Sequence, residues 1–121
     1  MRISQSVLAG LVVLLMLCRA HPAAAQSNKF AAIAFSPSTG SYAYAHGWGS
    51  RNSAEADAVS RCNGHDARSV VWVKNGWAAL ARNSNGAWAT GWSNNSRDEA
   101  EAIALSRVRG GRILCWVYSG S

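Results

Sequence analysis

Beyond residue 25 the side chains able to do chemistry are few: Cys62 and Cys115, His46 and His65, and two glutamates, Glu55 and Glu101, at matching places in a repeated octapeptide. A thiol beside an imidazole can supply a nucleophile and its base, and two carboxylates flanking a glycosidic bond can hydrolyse it. The spacing speaks against both uses. Cys62 and His65 fall where a helix gives way to a turn, and His65-Asp66 are ordinary turn formers with no cleft implied around them. Glu55 and Glu101 stand in the first turns of two duplicated helices, where an acid is favoured by the helix dipole without any catalytic role. No paired-cysteine or spaced-histidine pattern for zinc, no glycine-rich phosphate loop and no nucleophile elbow occurs. Neither cofactor nor metal is therefore expected, and a small hydrolase working through His46 or His65 stands as the alternative rather than the main reading.

Aromatic residues carry more information. In the stretch from Ser41 to Trp48, period-two reading puts Tyr42, Tyr44, His46 and Trp48 on one face and Ala43, Ala45 and Gly47 on the other. Trp88, Thr90 and Trp92 against Ala87, Ala89 and Gly91 repeat the pattern. Such a row has two uses. It can form the core between two units, although a core built only for packing more often takes Leu, Ile or Phe, which have no polar atom to satisfy. It can also lie exposed as a platform for sugar rings, a peptide or a partner protein. The residues at the strand ends beside loops, His46, Trp48 and Trp92, are the candidate binding residues. Arg51 and Arg97, which follow close behind as the two helices begin, are added to them.

The elements that must position these residues come in duplicate. Ala54-Glu55-Ala56-Asp57-Ala58-Val59-Ser60-Arg61 recurs 46 residues later as Ala100-Glu101-Ala102-Ile103-Ala104-Leu105-Ser106-Arg107, with six of eight residues identical. A match of this kind within one short chain marks an internal duplication. Around each copy the order is strand, strand, helix, strand. The first set is Phe30 to Phe35, Ser41 to about Trp48, about Arg51 to Cys62, and Ser69 to Lys74. The second is Trp77 to Arg82, Ala87 to Trp92, a helix to about Val108, and Arg112 to Tyr118. Ser36-Pro37-Ser38-Thr39-Gly40 and Asn83-Ser84-Asn85-Gly86 are hairpin turns, and Asn75-Gly76 separates the copies. Ser96 followed by Glu99 reads as a reciprocal capping box. The predicted fold is α+β: two tandem β-β-α-β repeats related by pseudo-two-fold duplication, with antiparallel hairpins and one helix each. Repeat one spans about 30–76 and repeat two about 77–121.

Small apolar residues share an arc on each helix, Ala54, Ala58, Val59 and Cys62 in the first and Ala100, Ala104, Leu105 and Val108 in the second. Each helix is expected to lie on the Ala/Gly side of its own hairpin. The third and sixth strands, apolar on both faces, are expected to lie centrally.

The first 25 residues have the layout of a cleaved secretory signal: a basic start at Arg2, an apolar run from Val7 to Cys18 too short for a comfortable membrane span, and a small-residue site at Ala23-Ala24-Ala25. Acylation of Cys18 is disfavoured by the bulky Leu17 before it. Residues 26–121 then form a single domain, not membrane-spanning, in the periplasm or outside the cell. Of the 12 basic residues two lie in the signal, which leaves ten against six acidic. That modest excess favours anionic surfaces without indicating specific nucleic-acid binding. Cys62 and Cys115 meet a compartment that permits disulfides, and two arrangements are open: a bond worth about 4 kcal/mol in the chain-entropy model, or two buried thiols.

Taken together, Ala31-Ala32-Ile33-Ala34-Phe35-Ser36-Pro37-Ser38-Thr39-Gly40, Ala54-Glu55-Ala56 leading to Cys62, Val70-Val71-Trp72-Val73, Ala78-Ala79-Leu80-Ala81 and Glu99-Ala100-Glu101-Ala102 resemble the secreted bacterial domain-of-unknown-function 4189 family. The resemblance implies a small exported domain without an established general activity and brings no catalytic motif. Members often carry a cysteine at the end of the second helix, where this chain has Val108. The expectation is a non-catalytic exported binding module, in one version a periplasmic inhibitor or immunity-type protein, acting on a protein or an envelope polymer.

Overall fold

The computed structural model describes residues 28–120; the signal segment read at 1–25, with Cys18, lies outside them. Eight elements follow in the predicted order: β1 (Phe30–Phe35), β2 (Tyr42–Trp48), α1 (Arg51–Arg61), β3 (Arg68–Lys74), β4 (Trp77–Arg82), β5 (Trp88–Ser93), α2 (Arg97–Ser106) and β6 (Arg112–Tyr118). They form two antiparallel three-stranded sheets of order β2-β1-β3 and β5-β4-β6, one per repeat. The α+β class and the tandem β-β-α-β repeat are as the sequence predicts.

The strand order corrects one expectation. β1 and β4 are the central strands, and β3 and β6 are edges. The alanines explain it. Ala32 and Ala34 of β1 and Ala79 and Ala81 of β4 lie under helices, while Ala31, Ile33, Phe35, Ala78 and Leu80 meet the opposite sheet. These short side chains let both faces be covered closely, so the two strands lose solvent on every side. β3 and β6 bury Val71, Val73, Cys115 and Val117 between the sheets but leave Trp72, Lys74, Trp116 and Tyr118 outside.

The layers therefore run helix, sheet, sheet, helix. Each helix covers the small-residue face of its own hairpin, as expected: Ala54, Ala58 and Cys62 of the first unit pack on Ala32, Ala34 and Ala45, and Ala100, Ala104 and Val108 pack on Ala79 and Ala81. In repeat two the approach is so close that a Cβ on Gly91 would stand 2.6 Å from the Ala104 backbone nitrogen. Ser50 and Ser96 cap the helices, accepting from Ser53 N at 3.2 Å and Glu99 N at 3.0 Å. The other half of the expected capping box is absent, because the Glu99 carboxylate accepts from the Ser93 hydroxyl and from Asn95 Nδ2 at 3.2 Å instead of turning back to the cap.

Polar side chains fix the hairpin turns to the loops that follow the helices. Asp66 accepts from the Ser36 hydroxyl, from Ser38 Oγ at 2.8 Å and from Ser38 N at 3.0 Å. These bonds, that from Ser36 foremost, hold its carboxyl down at about 2. In repeat two Asn83 does the equivalent work, donating through Nδ2 to Arg109 O at 2.9 Å. The repeats are tied together by buried Ser119, whose N–H donates to Gly76 O, whose hydroxyl accepts from Gly76 N, and whose carbonyl accepts from Gly47 N.

Candidate functional site

A face-to-face pair of three-stranded sheets has four edges. Here they are set so that the free edge of one repeat runs beside the hairpin of the other. A groove of about 480 Å³ follows Val70–Lys74 of β3 and is walled by Thr90 and Trp92 of β5, with Asn94 and Arg107. Its duplicate, about 570 Å³, follows Leu114–Tyr118 of β6 and is walled by Tyr42, Tyr44 and His46 of β2, with Gly120. The two grooves are built alike because the repeats are. Each offers the outer backbone of an edge strand, whose N–H and C=O groups have no neighbouring strand on that side, next to a row of large side chains.

The aromatic row is thus neither wholly core nor wholly platform. Trp88, at the turn end, packs against Phe35 with ring centroids 5.2 Å apart. The remainder is open: Tyr42 is 42% exposed, Tyr44 47% and Trp92 52%. The core between the sheets is made chiefly by β1, β3, β4 and β6, so the two hairpin faces do not meet as one aromatic core.

Of the sequence-derived candidates, His46 joins the β2 wall of one groove and Trp92 the β5 wall of the other. Trp48 belongs to neither wall. The β1–β2 register slips by one residue between Ala32↔Ala45 and Phe30↔Trp48, a bulge that Gly47 accommodates at φ +78. One inserted residue reverses the alternation, so Trp48 turns to the α1 side and donates from Nε1 to Asp57 Oδ2 at 3.1 Å. Asp57 also accepts from Arg61 Nε at 2.9 Å, and this bond first, then the one from Trp48, lowers its pKa.

Arg51 and Arg97 also lie away from the grooves, engaged on the helix side. The Arg51 guanidinium stands 4.5 Å from the Trp72 ring centroid and pairs with Glu55 at 3.1 Å. Arg97 stands 4.1 Å from the Trp116 ring and pairs with Glu101 at 3.1 Å. At this exposure a cation–π contact contributes about 0.5–1 kcal/mol and an i,i+4 pair about 0.3–0.5 kcal/mol. Glu55 is engaged twice, since its other oxygen accepts from Ser69 Oγ at 2.6 Å.

Among the described residues no hydrogen bond joins a histidine to Cys, Asp or Glu; His65 is exposed, and its neighbour Asp66 is committed to Ser36 and Ser38. The disulfide arrangement is corrected: both cysteines are free. Cys62 packs between α1 and its sheet, directing its Sγ to Ser41 O at 3.4 Å, whereas Cys115 lies between the two sheets. Burial pushes the Cys115 thiol up to about 12, which leaves it without nucleophilic character.

Sequence reasoning missed the edge strands and with them Tyr42, Tyr44, Thr90 and Arg107 as groove residues. The signal that could have found them is the alternation of Val71 and Val73 with Trp72 and Lys74, which marks a half-buried strand. In the sequence Arg107 stands in a short basic cluster with Arg109 and Arg112, which gives no sign of a groove. In the fold it turns to β5, donating from Nη1 to Thr90 O at 2.8 Å.

The model of one family, Domain of unknown function (DUF4189), matches residues 30–118. The chain belongs to this family. No curated protein and no solved structure matches it.

Proposed function

We propose that this family member is an exported, non-catalytic binding module that takes an extended polypeptide segment of a partner protein along the free edge of β3 or β6. The observation that carries this reading is the combination, present twice, of an unpartnered strand edge with an exposed row of Tyr, Trp and His beside it. An added strand gains main-chain hydrogen bonds from the edge, and its alternate side chains reach the neighbouring wall. Trp92, Tyr42 and Tyr44 supply large rigid contact area with a polar atom at the tip, which is the residue type that anchors protein interfaces. Lys74 at the end of β3 and Arg107 across the groove favour a segment carrying acidic residues. An inhibitor or immunity-type role is one version of this reading.

Peptides selected from a random extended-peptide library on the purified protein test it. The expected result is that Trp92→Ala or Tyr44→Ala weakens the selected peptide by tenfold or more. N-methylation of alternate peptide amides is expected to abolish binding in one register and spare it in the other. Binding that ignores both groove variants and both methylation registers, or a library that yields no binder, overturns the reading.

A further inference from the structure

The opposite end of the sandwich, beside the hairpin turns, presents a different chemistry. Arg82 closes β4 and Arg112 opens β6, and the two are direct cross-strand partners. Like charges placed opposite each other on a sheet are destabilising unless something neutralises them. Nothing in the described chain does. Glu55, Asp57 and Glu101 pair with Arg51, Arg61 and Arg97 on the helices; Asp66 and Glu99 are held by serine hydroxyls; Asp98 lies in the first turn of α2.

Arg82 is also held in place. Its guanidinium lies 5.5 Å from the centroid of the Phe35 ring in the opposite sheet and close over Gly40, where a Cβ would stand 2.7 Å from Nη1. Its Nε is buried without a hydrogen-bond partner. A buried donor on a cation left without an acceptor is costly. A recess of about 290 Å³ is lined by Arg82, Asn83, Ser84, Gly110 and Arg112. The Asn83 side chain is spent on the backbone of its own turn and of Arg109, so the free donors are the two guanidinium groups and the Ser84 hydroxyl.

We propose that this recess is a binding site for a tetrahedral oxyanion of the phosphate type, held between Arg82 and Arg112. Paired guanidinium forks match the oxygens of such a group, and the charge-assisted bonds they make are the strong ones. The site lies at the turn end of the strands and uses no groove wall residue, so it stands independently of the reading above.

Side-chain Nε–Hε NMR signals of the arginines, followed during titration with inorganic phosphate at constant ionic strength, test the site. The Arg82 and Arg112 signals are expected to shift saturably, whereas that of Arg61, engaged with Asp57, stays in place. Sodium chloride is expected to reproduce none of it. Arg112→Gln is expected to weaken the Arg82 response by about tenfold or more, from the loss of one charge-assisted fork; Arg82→Lys, which keeps the charge but loses the planar fork, is expected to weaken the Arg112 response. Saturation with inorganic phosphate identifies the free ion as ligand, and tighter saturation with glycerol 1-phosphate identifies a phosphate ester; either supports the site. Shifts that are linear, matched by chloride or unchanged by Arg112→Gln overturn it.

Discussion

Replacing Gly91 with alanine adds one methyl group at the place where helix and sheet come closest. The backbone there does not require glycine, since Gly91 is not among the residues with positive φ. By itself the change would then favour the folded state by about 0.4–1 kcal/mol, through a less flexible unfolded chain. Contact decides otherwise. The new Cβ would stand 2.6 Å from Ala104 N and 2.9 Å from Ile103 Cβ, and closer still to the Ala100 carbonyl oxygen. Two of those atoms are helix backbone and cannot swing aside as a side-chain tip can, so α2 must move off β5 and loosen Ala100 and Ala104 against Ala79 and Ala81. Overpacking of this kind costs about 1–3 kcal/mol, which less the gain from the stiffer unfolded chain leaves a net loss of about 1.3 kcal/mol. For a domain of this size that lowers the melting temperature by roughly 5–10 °C. Urea unfolding followed by far-UV circular dichroism measures it. Gly49→Ala is the control: nothing lies within 4 Å of its added Cβ, and a change within about 0.5 kcal/mol is expected. A Gly91→Ala protein as stable as the parent, or more stable, would refute the close helix approach.

The carboxyl of Asp66, held at about 2 against an ordinary 3.8, gives stability that is present above the ordinary value and is lost as pH falls toward 2. Denaturant midpoints at pH 6, 4 and 2.5 are expected to decline more steeply in the parent than in Asp66→Asn; parallel declines would show that Asp66 contributes nothing to acid sensitivity. Cys62 and Cys115 are expected to react with a thiol reagent only after unfolding. Cys115→Val, which installs the residue of the equivalent position Val71, is expected to cost less than about 1.5 kcal/mol. Rapid labelling of Cys115 in the native protein would contradict its burial between the sheets.

The duplication, the order of elements and the packing of each helix on its own hairpin were legible in the chain because they follow from local periodicity and from side-chain size. Ala54, Ala58, Ala100 and Ala104 fall on one helical face, and the hairpin alanines alternate with large residues. Trp48 was not legible. Its face depends on a single bulge at Gly47, whose N–H is held by the carbonyl of Ser119, 72 residues on. Strict alternation fails wherever one residue is inserted. That Cys62 and Cys115 stay unpaired was equally out of reach, since it follows from the two thiols sitting in separate packed layers, one beneath α1 and one between the sheets.

What the sequence determined by itself, then, is each unit: two β-β-α-β repeats whose small-residue faces receive their helices. Tertiary structure alone decided how the units meet. Pairing of β1 with β2 and β3, and of β4 with β5 and β6, left β3 and β6 as edges, and the two sheets then met by face-to-face stacking. That stacking also set the free edge of each repeat beside the other's aromatic row and brought Arg82 over Phe35 without a counter-charge. The physical reason is that local periodicity tells which face of a strand is apolar but carries no information on which neighbour covers that face, or on which strands remain uncovered at the edge.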